Sequence, residues 1–296
     1  MTASAAPFIR VERSTASIMT TVCISLVPPS VAAVYLFGWE AALRIVVGIT
    51  GAYFADRLSG FRRPFDGSAI VTGLILVLSC PVGTPLWLLA FGAVFSIFVM
   101  RDAFGGIGNN LFNPAMAARA VMLTVFPNEL IGYALPDALS SATPLASVST
   151  PPTWNTLLPL IVGTVNGSMG ETSALMIGLG CVWLLVRRVI RWQVPFFSLL
   201  GFSVFSFLTT GHVVMPLLSG SILFGAVYIF TDYTSKPATL LGEGIFAFGV
   251  GATIALLRDS GRYPEGVCFA ILFWNVLTPL IERVTVPHIY GRKQRL

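Results

Sequence analysis

The sequence predicts an all-α polytopic membrane protein of about ten transmembrane helices, and three observations lead there. Apolar side chains fill 55% of the 296 positions and charged ones only 10%, where a soluble domain carries roughly 25% charged residues. Apolar runs recur along the whole chain with short links between them. The basic residues cluster in those links, as they do in the cytoplasmic loops of multi-span proteins. The net charge of +5 is thereby explained by membrane orientation, and no nucleic-acid partner is expected. Residues 1–13 hold no apolar core or cleavage site of a signal peptide and read as a mature N-terminus.

A helix needs about 20 apolar residues to cross the hydrocarbon core, and shorter ones are tolerated where they are broken or sheltered by protein. On that basis the first two spans fall near 20–38 and 41–56, followed by a link carrying Arg57, Arg62 and Arg63. The third, near 68–79, is short and stops at Cys80-Pro81; the fourth, near 86–100, stops at Arg101-Asp102. The fifth, about 113–126, follows a Gly/Asn-rich approach. A long stretch without Lys or Arg, 127–156, comes next. Residues 157–169 are apolar but interrupted by Gly163, Asn166 and Gly167, and read as a re-entrant piece. The sixth span, near 171–186, ends on Arg187, Arg188 and Arg191. The last four lie near 194–210, 212–231, 239–257 and 265–281, before a basic tail with Arg283, Arg292, Lys293 and Arg295. Residues 1–296 thus form a single transmembrane domain. Glu171, Asp232, Glu243 and Glu265 fall at span ends and are expected as interfacial charges.

Ten spans put the basic N-terminus, both arginine-rich links and the tail on one side, which the positive-inside rule makes cytoplasmic. The loop 127–156 then faces outward. Two stretches also resemble each other. One is DGSAIVTGLILVLSCPVGTP, 66–85, with Arg101-Asp102 beyond it; the other is SGSILFGAVYIFTDYTSKP, 219–237, with Arg258-Asp259 beyond it. Residues 113–121 and 263–271 extend the likeness weakly. An odd number of spans separates the two Arg-Asp pairs, so the halves, about 20–126 and 157–281, are expected to be inverted repeats, with a functional site near their interface.

The four cysteines, Cys23, Cys80, Cys181 and Cys268, lie far apart in apolar sequence with no CxxC or CxxH spacing, which speaks for small buried hydrophobes and against a zinc or all-cysteine iron–sulfur site. Two histidines, His212 and His288, are too few for haem or a histidine metal site; both read as loop or interface residues, and no metal is expected. Two polar stretches remain. In FGGIGNNLFNPAMAARA, 104–120, Gly105, Gly106 and Gly108 permit tight backbone turns, Asn113 suits an N-cap and Pro114 the first helical position. Asn109, Asn110 and Asn113 either mark a capped helix break or line a ligand or ion site at a discontinuous helix. The spacing is not that of a dinucleotide fingerprint. The second stretch, DALSSATPL at 137–145, reads from its residues alone as an exposed loop closed by a proline turn at Pro144. No histidine lies near enough to make a serine nucleophile.

The string Asp137-x-x-Ser140-x-Ala142-Thr143 resembles the flavinylation motif shared by two bacterial families, the D subunit of the Rnf electron-transport complex and the B subunit of the sodium-pumping NADH:quinone reductase. The commoner form of that motif has Gly where this chain has Ser141. GGIGNNLFNPA, 105–115, resembles the GGxGxNxFNPA segment of the same families, and FDGSAIVTGLILVLSCP, 65–81, resembles their third span. The short N-terminal segment, about 20 residues, favours the Rnf D subunit (RnfD) over the reductase B subunit (NqrB). The resemblance implies a urea-transporter-like fold and a covalent FMN joined through its phosphate to the Thr143 hydroxyl by a flavin transferase. It also implies a second, non-covalent flavin, riboflavin, in the membrane part, with Asn109, Asn110 and Asn113 as candidates to line its site. A phosphoester tether leaves the flavin ring unmodified while preventing loss of the cofactor, and an exposed loop gives the transferase access. The implied partners are the other Rnf subunits, RnfA, RnfB, RnfC, RnfE and RnfG, with flavinylated RnfG the nearest in function. The implied setting is the bacterial inner membrane, with both termini cytoplasmic and the FMN loop periplasmic. The implied activity is ferredoxin:NAD oxidoreduction coupled to Na⁺ or H⁺ translocation, performed by the complex and not by this chain alone. An NqrB-type subunit, a urea-transporter-like channel without redox role and a purely structural subunit are the alternatives.

Overall fold

The computed structural model of the chain describes residues 14–59, 66–130, 154–164, 167–218, 221–259 and 266–287. Every regular element among these residues is helical. Helix α1, Thr15–Phe37, is capped by Ser14, whose Oγ accepts from Ser17 N at 3.2 Å. It ends on Gly38 at φ 72°, a conformation that favours glycine, and α2, Trp39–Leu58, starts at once. There follow α3, Ser68–Leu78, and α4, Leu86–Ile97, which continues as a π turn, Phe98–Asp102. Then come α5, Pro114–Val125, and the short α6, Pro127–Leu130. The second part of the chain holds α7, Trp154–Val162, α8, Ala174–Val186, and α9, Gln193–Thr210. After these come α10, Val214–Leu218, and α11, Ile222–Phe224, which runs into a second π turn, Gly225–Ile229. Two long helices close the fold, α12, Leu240–Asp259, and α13, Val267–Thr285.

Four of these, α1, α9, α12 and α13, are long and apolar enough to cross a membrane; α2 is as long but carries Glu40, Arg44, Asp56 and Arg57. The outward faces of α1, α8 and α9 are apolar along their length, with Ile24, Val27 and Val31, Leu175, Leu179 and Val182, and Phe196, Leu200 and Val204 exposed. Such faces are aggregation-prone in water and at home in lipid. The chain is an all-helical polytopic membrane protein.

Helix α3 shows why short apolar segments belong here. Its 11 residues reach about 16 Å, half of the roughly 30 Å core. It is buried on nearly every side, packed among α1, α2, α4 and α5. Its last carbonyls need donors that lipid cannot supply. The stretch 167–173 supplies them: Gly170 N donates to Leu78 O at 2.7 Å and Met169 N to Cys80 O at 3.1 Å. A side chain at 170 would meet Leu78 Cβ at 2.6 Å.

Two expected spans differ. The apolar run 212–231 is not one helix but α10, α11 and a π turn, because Pro216 and the Ser-Gly-Ser run after it cannot sustain continuous helical bonding. The re-entrant piece begins earlier than 157, as α7, and its helix stops before Gly163 at φ 107°. The acidic residues differ too. Glu171 and Glu243 are buried, 5% and 1% exposed, not interfacial. Glu243 lies in the first turn of α12 and pairs with Lys236 and, at 3.3 Å, with Arg191. Glu171 sits within electrostatic reach of Arg119 on α5 and Arg258 on α12. Asp232 is half-buried, and Glu265 lies outside the described residues.

Packing between the longer helices depends on glycine. A side chain at Gly201 would strike Phe248 O at 2.2 Å, and one at Gly251 would strike Ser198 O at 2.0 Å, so α9 and α12 touch backbone to backbone, as small residues allow in membranes. Gly48 and Gly73 do the same between α2 and α3. Helix α1 contains Pro28 and Pro29. Pro29 has no N–H, so Ser25 O lacks its helical donor. Tyr228 Oη, from the second π turn, donates to that carbonyl at 2.6 Å. Gly180 on α8 leaves the room: a Cβ there would lie 1.8 Å from the Tyr228 hydroxyl.

Candidate functional site

The Asn-rich stretch after α4 is a chain of tight turns. Asp102 O accepts from Gly105 N at 3.0 Å, Arg101 O from Gly106 N at 2.9 Å and Gly106 O from Asn109 N at 3.1 Å. Gly105, Gly106 and Gly108 sit at φ of 101°, 88° and 97°, where side chains with a Cβ are strained. The stretch ends where Asn113 Oδ1 caps α5 by accepting from Met116 N at 3.2 Å, with Pro114 at the first helical position.

These turns form one wall of a cavity of about 100 Å³, partly open to the outside, between the two parts of the chain. From the first part, Ser68 and Thr72 of α3, Arg101, Asn110 and Asn113 supply polar groups; from the second come Tyr228 and the link Thr231–Thr234. Apolar side chains of α1 and α3, such as Met19, Val22 and Val71, cover the rest. Both π turns reach the cavity, one through Arg101 and the other through Val227 and Tyr228; π turns recur at functional sites.

Arg101 is 4% exposed. Its Nε donates to Asp102 Oδ1 at 2.9 Å, one terminal nitrogen donates to Ser68 Oγ at 3.2 Å, and the other pairs with Asp56. One guanidinium therefore faces two carboxylates. Asp232 adds a third across the cavity, accepting from Thr234 N at 3.3 Å and Ser235 Oγ at 3.1 Å. Burial pushes its carboxyl above the ordinary range, against the hydrogen bonds and the nearby Lys236 ammonium. The Arg101 guanidinium at the cavity is thus already matched by carboxylates behind it. Asn110 is 8% exposed, and its Oδ1 has no hydrogen-bond partner among the described residues. A buried acceptor of this kind calls for a donor.

Of the three candidate asparagines, Asn110 and Asn113 line the cavity, whereas Asn109 is exposed and does not. Asp137, Ser140, Ala142 and Thr143 lie outside the described residues. No cluster of three or more metal-ligating side chains occurs among the described residues. The sequence reading missed Ser68, Thr72, Tyr228 and the buried Asn275 of α13. The available signals were a lone Asn in the apolar run VCFAILFWNVLTPL and a Pro-Pro pair that leaves carbonyls to be satisfied elsewhere.

Comparison with known proteins matches residues 2–291 to the NQR2, RnfD, RnfE family model. The chain belongs to the NQR2, RnfD, RnfE family. Among members of this family it is 39% identical to the D subunit of the Na⁺-translocating ferredoxin:NAD⁺ oxidoreductase complex of Acetobacterium woodii, over 98% of this chain and 95% of the relative. It is 35% identical to the D subunit of the ion-translocating oxidoreductase complex of Stutzerimonas stutzeri, over 96% and 94%. It is 34% identical to the D subunit of the proton-translocating ferredoxin:NAD⁺ oxidoreductase complex of Clostridium ljungdahlii, over 99% and 97%. The family match spans both walls of the cavity.

Proposed function

We propose that the chain is the D subunit of an Rnf-type complex in the bacterial inner membrane, carrying electrons on FMN esterified to Thr143 and on riboflavin held in the cavity. Near-full-length similarity to several D subunits carries this reading. Flavins supply one- and two-electron transfer; the protein supplies binding, orientation and electrostatics. The complex would couple ferredoxin:NAD oxidoreduction to movement of Na⁺ or H⁺, with RnfA, RnfB, RnfC, RnfE and RnfG as partners and a flavin transferase maturing Thr143. An NqrB-type subunit is the second reading, since the family model includes both.

The residues at the cavity fit a neutral flavin. Asn110 Oδ1 offers an acceptor for a ring N–H or a ribityl hydroxyl, and the apolar side chains of α1 and α3 offer a surface for the ring. Arg101 is already neutralised by Asp56 and Asp102, and Asp232 stands opposite. With the Arg101 charge already matched, a phosphate would gain little there, which favours riboflavin over a second FMN. Asn113 and Thr72 would share in holding the ligand, and the apolar walls would exclude water.

The inverted-repeat reading also has support. Among the described residues, each pair of related sequence segments falls at the same place in the element order: the first segment holds α3 and the second α11 with its π turn, the Arg-Asp pairs fall after α4 and at the end of α12, and the weaker likeness runs into α5 and α13. Contacts follow suit, with α2 on α4 and α9 on α12, α4 on α5 and α12 on α13. The halves meet through α1 on α8 and α5 on α13, elements that a two-fold axis would exchange.

The test is direct. Chain purified from cells that have the flavin transferase should fluoresce as a flavin band on a denaturing gel, and Thr143→Ala should abolish the band. A dark parent chain, or a peptide spanning Thr143 without the added mononucleotide in mass spectra, rejects the covalent site.

A further inference from the structure

Asn275 lies in the middle of α13, far from every motif, with no exposed surface. Oriented so that both amide atoms are satisfied, its Oδ1 accepts from Asn113 N at 3.1 Å, and its Nδ2 donates to Ser235 O at 3.0 Å and Ile271 O at 3.2 Å. The first contact belongs to one cavity wall, since Asn113 caps α5 three residues after Asn110. The second belongs to the other, since Ser235 Oγ donates to Asp232. A single side chain thus ties the Asn110–Asn113 wall of the first half to the Asp232–Ser235 link of the second. Thr278, one turn on, donates to the same Ser235 carbonyl at 3.1 Å but does not reach Asn113.

We propose that Asn275 is a positioning residue for the flavin cavity: its amide bridges Asn113 N–H on one wall and the Ser235 carbonyl on the other, and so sets the spacing of the polar groups that hold the ring. This rests on the reading that the cavity holds riboflavin. A polar side chain in an apolar helix is costly unless every atom is used, and here both amide atoms are used across the interface of the halves. Loss of the bridge frees the Asn113 N–H and lets the two walls shift independently. Ligand contacts are sensitive to displacements of this kind.

The experiment compares the assembled complex carrying Asn275→Leu, Asn275→Asp or Thr278→Val with the parent. Asn275→Leu removes the whole bridge; Asn275→Asp keeps the acceptor for Asn113 N and loses the donor to Ser235 O. Acid-released riboflavin is measured per complex by chromatography that separates it from FMN, and its midpoint potential by optical redox titration. Covalent flavin fluorescence of the chain reports maturation, and thermal unfolding reports stability. Losing both bridging hydrogen bonds, with about 1.4 kcal/mol of that loss reaching the ligand, predicts roughly a tenfold weaker hold on riboflavin in Asn275→Leu. Asn275→Asp should fall between it and the parent, with a shifted midpoint potential in both. Thr278→Val should keep riboflavin and its potential. Parental riboflavin and potential in both Asn275 variants overturn the proposal, as does an equal loss in Thr278→Val, which would mark a general packing effect. If Asn275→Leu does not assemble, Asn275→Asp decides alone. A parent complex that releases no riboflavin overturns the cavity reading itself and this inference with it, an outcome separate from unchanged variants.

Discussion

Arg101, 4% exposed, is shared by the buried Asp102, the half-buried Asp56 and Ser68 Oγ. Removing one partner of a buried ion pair strands the other charge at a cost of about 3–5 kcal/mol. Arg101→Leu is therefore expected to lower the thermal unfolding midpoint of the detergent-solubilised chain, and Asp102→Asn to lower it less. Equal midpoints for Arg101→Leu and the parent would falsify this account of the cluster. Asn113 gives a smaller effect: Asn113→Ala loses the cap of α5, worth about 1 kcal/mol, while Asn113→Asp keeps it. Asp232 gives a pH signature. Its carboxyl is raised in the folded chain by burial, so the folded state binds a proton where the unfolded state has released it. Stability contributed by the protonated group is full at acid pH and lost as pH rises from the unfolded value near 4 through the raised folded one. Asp232→Asn lacks that decline. Its unfolding midpoint should gain on the parent as pH rises above about 4, and a constant difference across the range contradicts the assignment.

At the scale of elements, glycine and proline decide which helices touch. Gly251→Val has no room against Ser198 O, 2.0 Å from an added Cβ, so α9 and α12 must part. Overpacking of this kind costs about 1–3 kcal/mol or more. Reduced yield of folded chain and a lower unfolding midpoint are expected, whereas Gly178→Val on α8, which meets nothing within 4 Å, should be neutral in both measurements. Asn113-Pro114 and the turn glycines Gly105, Gly106 and Gly108 were legible as helix punctuation because caps and tight turns are local chemistry, whereas the Ser14 cap of α1 was not read from the sequence. The break of 212–231 was not, although Pro216 lies in it, because apolar composition alone cannot separate a continuous helix from α10, α11 and a π turn. Nor was the burial of Glu243. Its place in the first turn of α12 was readable, but the Lys236 and Arg191 that enclose it arrive from two different links.

For the whole molecule, the inverted-repeat reading makes the ends of α4 and α12 face opposite compartments. In a background lacking the four native cysteines, Ala103→Cys should react with a membrane-impermeant maleimide only from the cytoplasmic side, and Asp259→Cys only from outside. Labelling of both from one side refutes the topology. The polytopic character, the order of apolar segments, the polar break before α5 and the family were all determined by the sequence itself, because hydropathy, capping and motif strings are written in consecutive residues. Only the tertiary structure decided that Asn110 and Asn113 meet Tyr228 and Asp232 around one cavity, that Asn109 turns away, and that Asn275 joins the two walls. Those contacts unite residues more than a hundred positions apart. They arise because lipid leaves no solvent for buried polar groups, so each must find a partner across the fold.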